Sequence, residues 1–368
     1  MHLLQKNNHL FHLCLTMNTD LLLQIRLHNQ LLAGKNTKQP HEIVAHMGAM
    51  QSQNFDLARW AIGVRSQDLT LQKVEKEIHN GKIIRTHILR PTWHFIAAGD
   101  YHWMIALSGP RIKPAFEGYC KMVGAEANTI RKHFSVVEKV LAGKHLTRQE
   151  ITEHLNGNGI KADASLTGLI MSMAEIEGWV CSGKPKGNKQ TYAFTEERIP
   201  QKSSPISKEE SSDRLARRFF TSHGPATPED FIWWSGLRIS EAKQAIEGLK
   251  DEFICETCNG RSFWLKRDTA NPPAIEEAAL LLSPFDEFVV SYKDRSELIP
   301  PHHYGKVMTK NGLFSPTVMH HGEIVGSWKK TVKKRQVEAE LSFFEKTGKK
   351  YRDLFTGASA RVKKFYES

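Results

Sequence analysis

The sequence predicts an α+β protein built from three tandem winged-helix (helix-turn-helix) units and a C-terminal β-barrel-like domain. Three observations predict it. One order of capped helices followed by two apolar runs recurs three times along the chain. Beyond residue 275 the texture changes to short β-type runs broken by turn dipeptides. And 368 residues, 40% hydrophobic and 25% charged, can bury more than one core, which sets an expectation of two to four domains.

The third pass is the clearest. Asp213 to His223 reads as an amphipathic helix through Leu215, Phe219 and Phe220, and Gly224 ends it. Thr227 caps a second helix with Pro228 at its first position, and Ser240 caps a third, Glu241 to Leu249. Phe253 to Cys255 and Ser262 to Leu265 then flank Asn259-Gly260, a strong hairpin signal. In the second pass Thr147 caps Arg148 to Leu155, Ser165 to Glu177 is the next helix, and Val180 to Ser182 and Thr191 to Phe194 are the strands. The first pass is elaborated: helices at Asp20 to Ala33, His41 to Met50, Phe55 to Val64 and Leu71 to His79 precede strands at Ile83 to Leu89 and Trp93 to Ile96. In the terminal domain, strands are expected at Leu280 to Leu282, Phe288 to Tyr292, Phe314 to Met319, Ile324 to Trp328 and Val337 to Phe343, with a final helix. The expected boundaries are 17–110, 111–198, a Ser- and Pro-bearing linker at 199–212, 213–275 and 276–368. Met17 followed by Asn18, Thr19 and Asp20 offers a start and capping residues, so 1–16 reads as a non-native or disordered extension.

Lysine and arginine outnumber acids 51 to 40, a net charge of +11, which favours a polyanionic partner, nucleic acid before membrane. No apolar run approaches the roughly 20 residues of a membrane span. Five scattered cysteines argue against a disulfide framework and for the reducing cytoplasm.

Candidate DNA contacts follow from residue type and position. Thr86, Arg90, Thr92 and His94 alternate along a stretch read as one strand, placing four polar side chains on one face. Lys184, Lys186 and Lys189 make a basic turn with no acid close in sequence, and Lys329, Lys330, Lys333, Lys334 and Arg335 make a basic run. Arg59 and Arg65 are further phosphate candidates, each weighed against a solvated helix face. Cys255 and Cys258 form a lone C-x-x-C without a second ligand pair, and His302-His303 and His320-His321 have no ligand spacing, so no metal or other cofactor is expected. Asp286 and Asp294 read as structural carboxylates within the terminal domain rather than an acid pair.

Gln51-Ser52-Gln53, Thr86 to Phe95 (THILRPTWHF), Pro284-Phe285-Asp286 with Lys293-Asp294-Arg295, and His321 to Trp328 (HGEIVGSW) together resemble the winged-helix DNA glycosylases related to AlkZ and YcaQ, in the same order along the chain. The resemblance implies hydrolysis of the N-glycosidic bond of alkylated purines, including interstrand crosslinks, and it places the chemistry on a glutamine, spacer, glutamine motif, here Gln51 and Gln53. The family's spacer is usually apolar, whereas this chain has Ser52. An amide orients water but is a poor base, so the substrate must already be reactive, as a cationic alkylated purine is. The expected partner is damaged double-stranded DNA, bound by a monomer. The alternative is a non-catalytic winged-helix DNA-binding protein, a transcription regulator or damage-recognition scaffold, in which the two glutamines are an ordinary polar turn.

Overall fold

The computed structural model describes residues 17–200, 205–275, 279–333 and 336–367. The expected extension 1–16, part of the linker, and Lys334 and Arg335 of the basic run lie outside them.

Capping residues decide where the first helices begin. The side chains of Asn18, Asn54 and Thr70 accept the N–H of Leu21, Leu57 and Lys73 at the starts of Thr19–Asn29, Phe55–Gly63 and Leu71–His79, each satisfying a donor that the helix cannot pair. Between them, Pro40–Met47 ends at Gly48 with φ +80°, and the chain turns directly into the two-residue strand Met50–Gln51. That strand is the edge of an antiparallel sheet whose centre is Trp93–Ala97 and whose far edge is Ile83–His87. A single helix, Tyr101–Met122, then runs unbroken across position 110, carrying Pro110 and Pro114 within it.

In the next segment, Thr147 and Glu150 bond each other's backbone N–H groups at the start of Arg148–Gly157, and Asp163 caps Ala164–Ile176. Leu146–Thr147, Thr191–Phe194 and Val180–Ser182 form a small antiparallel sheet. Further on, Lys208–His223 begins five residues before the expected start, because Ser207 is the residue whose side chain caps it. Thr227 and Asp230 cap Pro228–Ser235 reciprocally, and the next helix runs Ile239–Glu247, starting ahead of Ser240. Phe253–Cys258 and Arg261–Lys266 pair across Asn259 and Gly260, both at positive φ as a tight hairpin requires.

The last part holds a four-stranded antiparallel sheet curled as a half-barrel, in the order Gln336–Phe343, Glu323–Lys333, Thr317–His320, Ala279–Leu282. One expected strand is absent: Phe288 to Tyr292 enters the short helix Glu287–Val290, capped by the Asp286 carboxylate on Phe288 N. A short apolar run has no period of its own, and the cap settles the choice. Helices Lys349–Asp353 and Thr356–Glu367 end the chain. Among the described residues no helix is long and apolar enough to cross a membrane.

Two cores hold this together. One gathers Ile112 to Tyr192; the other is continuous from Met17 through the third helical group to Phe365. The final helix returns to the first segment, where Phe365 packs edge-on to Trp60 at 5.2 Å and a Cβ on Gly63 would lie 2.4 Å from its ring. Trp60 Nε1 in turn donates to Leu281 O at 2.7 Å. At the centre, Arg65 and Asp286, both fully buried, meet through two hydrogen bonds of 2.8 and 3.0 Å, and Arg65 donates also to Ala61 O and Gln30 Oε1. Sequence reading placed Asp286 in structural bonds inside the terminal domain; it makes such bonds with Phe288 N and Ser283 Oγ, and adds the Arg65 guanidinium 221 positions away.

Removing one member of such a pair strands a buried charge, so Arg65→Ala or Asp286→Ala should each cost about 3–5 kcal/mol of unfolding free energy in urea titrations. The double variant should cost clearly less than the sum; strict additivity would mean that the two groups do not support each other.

Candidate active site around Gln51

In the three-stranded sheet Gln51 stands opposite His94, and His94 opposite Thr86. Residues directly opposite share a face, so Gln51, His94 and Thr86 form one row across three strands. All three are buried: Gln51 is 8% exposed, the other two not at all. This corrects the single-strand reading of Thr86, Arg90, Thr92 and His94. The chain reverses between Thr86 and His94, with Leu89 at φ +60° and Arg90 and Thr92 in the turn, so the four do not alternate along one strand, and Thr86 and His94 offer no surface to a phosphate.

The two amide oxygens and the Gln51 and Ser52 backbone of the Gln51-Ser52-Gln53 segment are held. Arg90 Nη2 donates to Gln51 Oε1 at 3.1 Å while its Nη1 donates to Trp233 O. Trp93 N donates to Gln53 Oε1 at 2.9 Å, and Ser52 N to Trp93 O at 2.7 Å. Arg85, lying over the Trp93 ring, donates twice to Ser52 O. Gln51 N donates to Glu287 Oε1 at 2.6 Å. Gln51 and Gln53 thus flank the start of the central strand, the first buried and the second exposed, each with its carbonyl oxygen fixed and a second lone pair of that oxygen still available. The turn carrying Arg90 is seated on the third helical group, where a Cβ on Gly236, at φ +67°, would lie 2.5 Å from Leu89 O.

Several buried polar atoms here have no hydrogen-bond partner among the described residues: Ser52 Oγ, Thr86 Oγ1, Thr92 Oγ1 and His94 Nε2. Each such group costs about 1–3 kcal/mol unless a ligand or solvent serves it, and these four lie on or next to the strands that carry Gln51 and its opposite partners. Ser52 is fully buried, so its hydroxyl stands in the interior.

The charges are arranged with the same economy. Burial, reinforced by the Arg90 cation, pushes His94 down to about 3, so its ring is neutral at physiological pH. Burial alone would raise Glu287, but His223, His94 and the Ser291 hydroxyl outweigh it and hold the carboxyl at about 2. A neutral imidazole and a fixed carboxylate therefore stand beside the half-buried Arg90, and the carboxylate balances its charge.

The other cationic candidates divide by burial. Arg59 is 1% exposed, ion-paired with Asp56 and Glu75 and lying over Phe55; Arg65 is spent on Asp286. Lys330 bonds Asp56 and lies 4.1 Å over the Tyr366 ring. None of the three has a free face for phosphate. Lys184, Lys186 and Lys189 are exposed on their turn, although Glu150, which sequence proximity hid, pairs with Lys186 at 2.6 Å. Lys329 is exposed, and Lys333 is bound to Glu338 and Glu340. Cys255 is exposed and Cys258 buried, on opposite faces of their strand. Sequence reasoning missed Glu287, His223 and Trp233; a carboxylate at the edge of the apolar run Phe288 to Tyr292 was the one signal for Glu287.

The DNA glycosylase AlkZ-like family model matches residues 44–365 of the chain. The fold is similar to the Streptomyces sahachiroi DNA glycosylase AlkZ, with a TM-score of 0.80 over 95% of this chain and 97% of that one, at 18% identity. No curated protein matches.

His94 gives the site a pH signature. Its folded value near 3 lies below its ordinary 6.5, so between those limits the unfolded chain binds a proton that the folded chain refuses. Stability is therefore full above about 6.5 and falls as the pH drops toward 3, at about 1.4 kcal/mol per pH unit for this group. Chemical denaturation at pH 7 and pH 5 should show His94→Asn losing about 2 kcal/mol less than wild type between the two; equal losses would mean that His94 titrates normally.

Proposed function

The chain belongs to the AlkZ-like DNA glycosylase family, and from that premise we propose that it hydrolyses the N-glycosidic bond of alkylated purines in double-stranded DNA, N7-substituted, bulky or crosslinked, with water positioned by Gln51 and Gln53. The observation that carries this reading is the clamped Gln51-Ser52-Gln53 segment beside buried polar atoms without partners. Fixed amides place a water without having to take its proton. The water oxygen bonds to C1′ as the bond from C1′ to the purine nitrogen breaks. The bonding pair goes to the purine and cancels its positive charge, and the surplus proton leaves to solvent.

The electrostatics suit that chemistry. A cationic base and an oxocarbenium-like sugar are repelled by protonated histidine, and His94 is neutral; the Arg90 charge is offset by the Glu287 carboxylate. We read the helix-helix-helix-hairpin order of 208–266, and the groups before it, as winged-helix units, with the exposed Lys184, Lys186, Lys189 turn and Lys329 along the phosphates. One observation favours the non-catalytic alternative: Gln51 is largely buried and its oxygen already bonded, as a structural amide would be.

Single-turnover excision on duplex DNA carrying N7-methylguanine or a nitrogen-mustard crosslink separates the two. Gln51→Ala and Gln53→Ala should each slow release of free base roughly 100-fold, with DNA affinity nearly unchanged. A wild type that binds but releases nothing makes this a binding protein. Replacing Lys184, Lys186 and Lys189 together should weaken binding to all sequences and flatten its salt dependence by about one unit of slope per lost phosphate contact; an unchanged slope removes that turn from the interface.

A further inference from the structure

The strand that carries Gln51 is two residues long and has a neighbour on one side only. Successive N–H groups in a strand point to opposite sides. Ser52 N–H points inward to Trp93 O, so Gln51 N–H points out from the sheet edge, where no strand receives it. Glu287, 236 positions further along, receives it instead at 2.6 Å. Its second oxygen is fixed by Trp234 Nε1 at 3.0 Å and Ser291 Oγ at 2.5 Å, with His223 Nε2 at 3.7 Å. The side chain is 1% exposed. Two anchored donors thus hold one carboxylate oxygen so that the other can hold Gln51, while Arg90 holds the amide of the same residue from the far end.

We infer that Glu287 is the positioning residue of the site: it takes the place of the missing edge strand and fixes the backbone from which the Gln51 amide reaches toward substrate. The inference rests on the glycosylase reading of Gln51. Buried at 1% exposure and bonded to the Gln51 backbone, Glu287 acts through Gln51 and not on the substrate. An acceptor of any other length or charge leaves the two-residue strand free to slip, and misplacement by an ångström is enough to cost roughly 100-fold in rate.

Two measurements test this on the full-length protein. In single-turnover excision, Glu287→Gln should lower the rate roughly 10- to 100-fold with DNA affinity within threefold of wild type, because the variant keeps an acceptor but sets an amide N–H₂ against donors at one end. Ser291→Ala and Trp234→Phe each remove one donor from the far oxygen while leaving the Gln51 contact in place. They should lose activity far less, whereas a merely structural role would make all three variants lose rate in proportion to stability. Residue-resolved hydrogen exchange reads the bond directly. In Glu287→Ala the Gln51 amide should lose its protection while Ser52, bonded to Trp93 O, keeps its own. Unchanged protection of Gln51, or an unchanged rate in Glu287→Gln beside an active wild type, overturns the inference. A wild type that releases no base overturns the glycosylase reading, and the exchange data tell that failure apart, since they need no turnover.

Discussion

Two adjacent buried carboxylates, Asp286 and Glu287, tie the two ends of this chain into one object. Asp286 meets the Arg65 guanidinium through two N–H bonds, one to each carboxylate oxygen, and Glu287 takes the edge N–H of Gln51. Taking two anions out of water side by side is tolerable only if every lone pair finds a donor. Here Arg65, Phe288 N and Ser283 serve the first, and Gln51 N, Trp234 and Ser291 serve the second. The donors come from the first segment, the third helical group and the terminal segment, so none of these can leave without exposing the others' cost. The continuous core from Met17 to Phe365 is the apolar counterpart of the same fact.

This explains why the site sits where regular structure is weakest. A two-residue edge strand and a hairpin turn with Leu89 at positive φ are poor supports on their own, yet they let Gln51, Gln53 and Arg90 converge without a helix or long strand in the way. The rigidity is imported: Trp233 O and the close approach of Gly236 seat the turn, Glu287 seats the strand, and Arg85 locks the spacer residue between them. The segment read from sequence as a first winged-helix unit shares contacts with residues more than 140 positions away.

What the sequence revealed and what it hid follow the range of the forces involved. Thr147 with Glu150, Thr227 with Pro228 and Asn259-Gly260 act within four residues, and the elements that they start or turn lie close to where they were expected. Gln51 and Gln53 were found through a likeness of motifs and not through their surroundings. Their surroundings could not be read because Glu287 and Trp233 carry no local mark of the partner that they meet. Even the polar alternation Thr86, Arg90, Thr92, His94 misled, since a pattern of period two is preserved when a chain folds back on itself: Thr86 and His94 do share a face, but as opposite partners across a hairpin.

The cations make the same point about charge. A net charge of +11 says that a polyanion is welcome, but it does not say which side chains would meet it. Arg59, Arg65 and Lys330 lie near the glutamines in sequence or space and are natural suspects, yet each is paired with a carboxylate and packed on an aromatic ring or fully enclosed. A guanidinium is the cation best suited to burial, because its planar fork can satisfy a carboxylate and two carbonyls at once, and Arg65 does just that with Asp286, Gln30 and Ala61. The exposed cations are instead lysines on turns and strand surfaces, whose compact, strongly hydrated charge is costly to bury and cheap to leave in water. Charge beside the Gln51 segment is largely spent inside the fold, and the exposed charge lies on the turn at Lys184 to Lys189 and at Lys329.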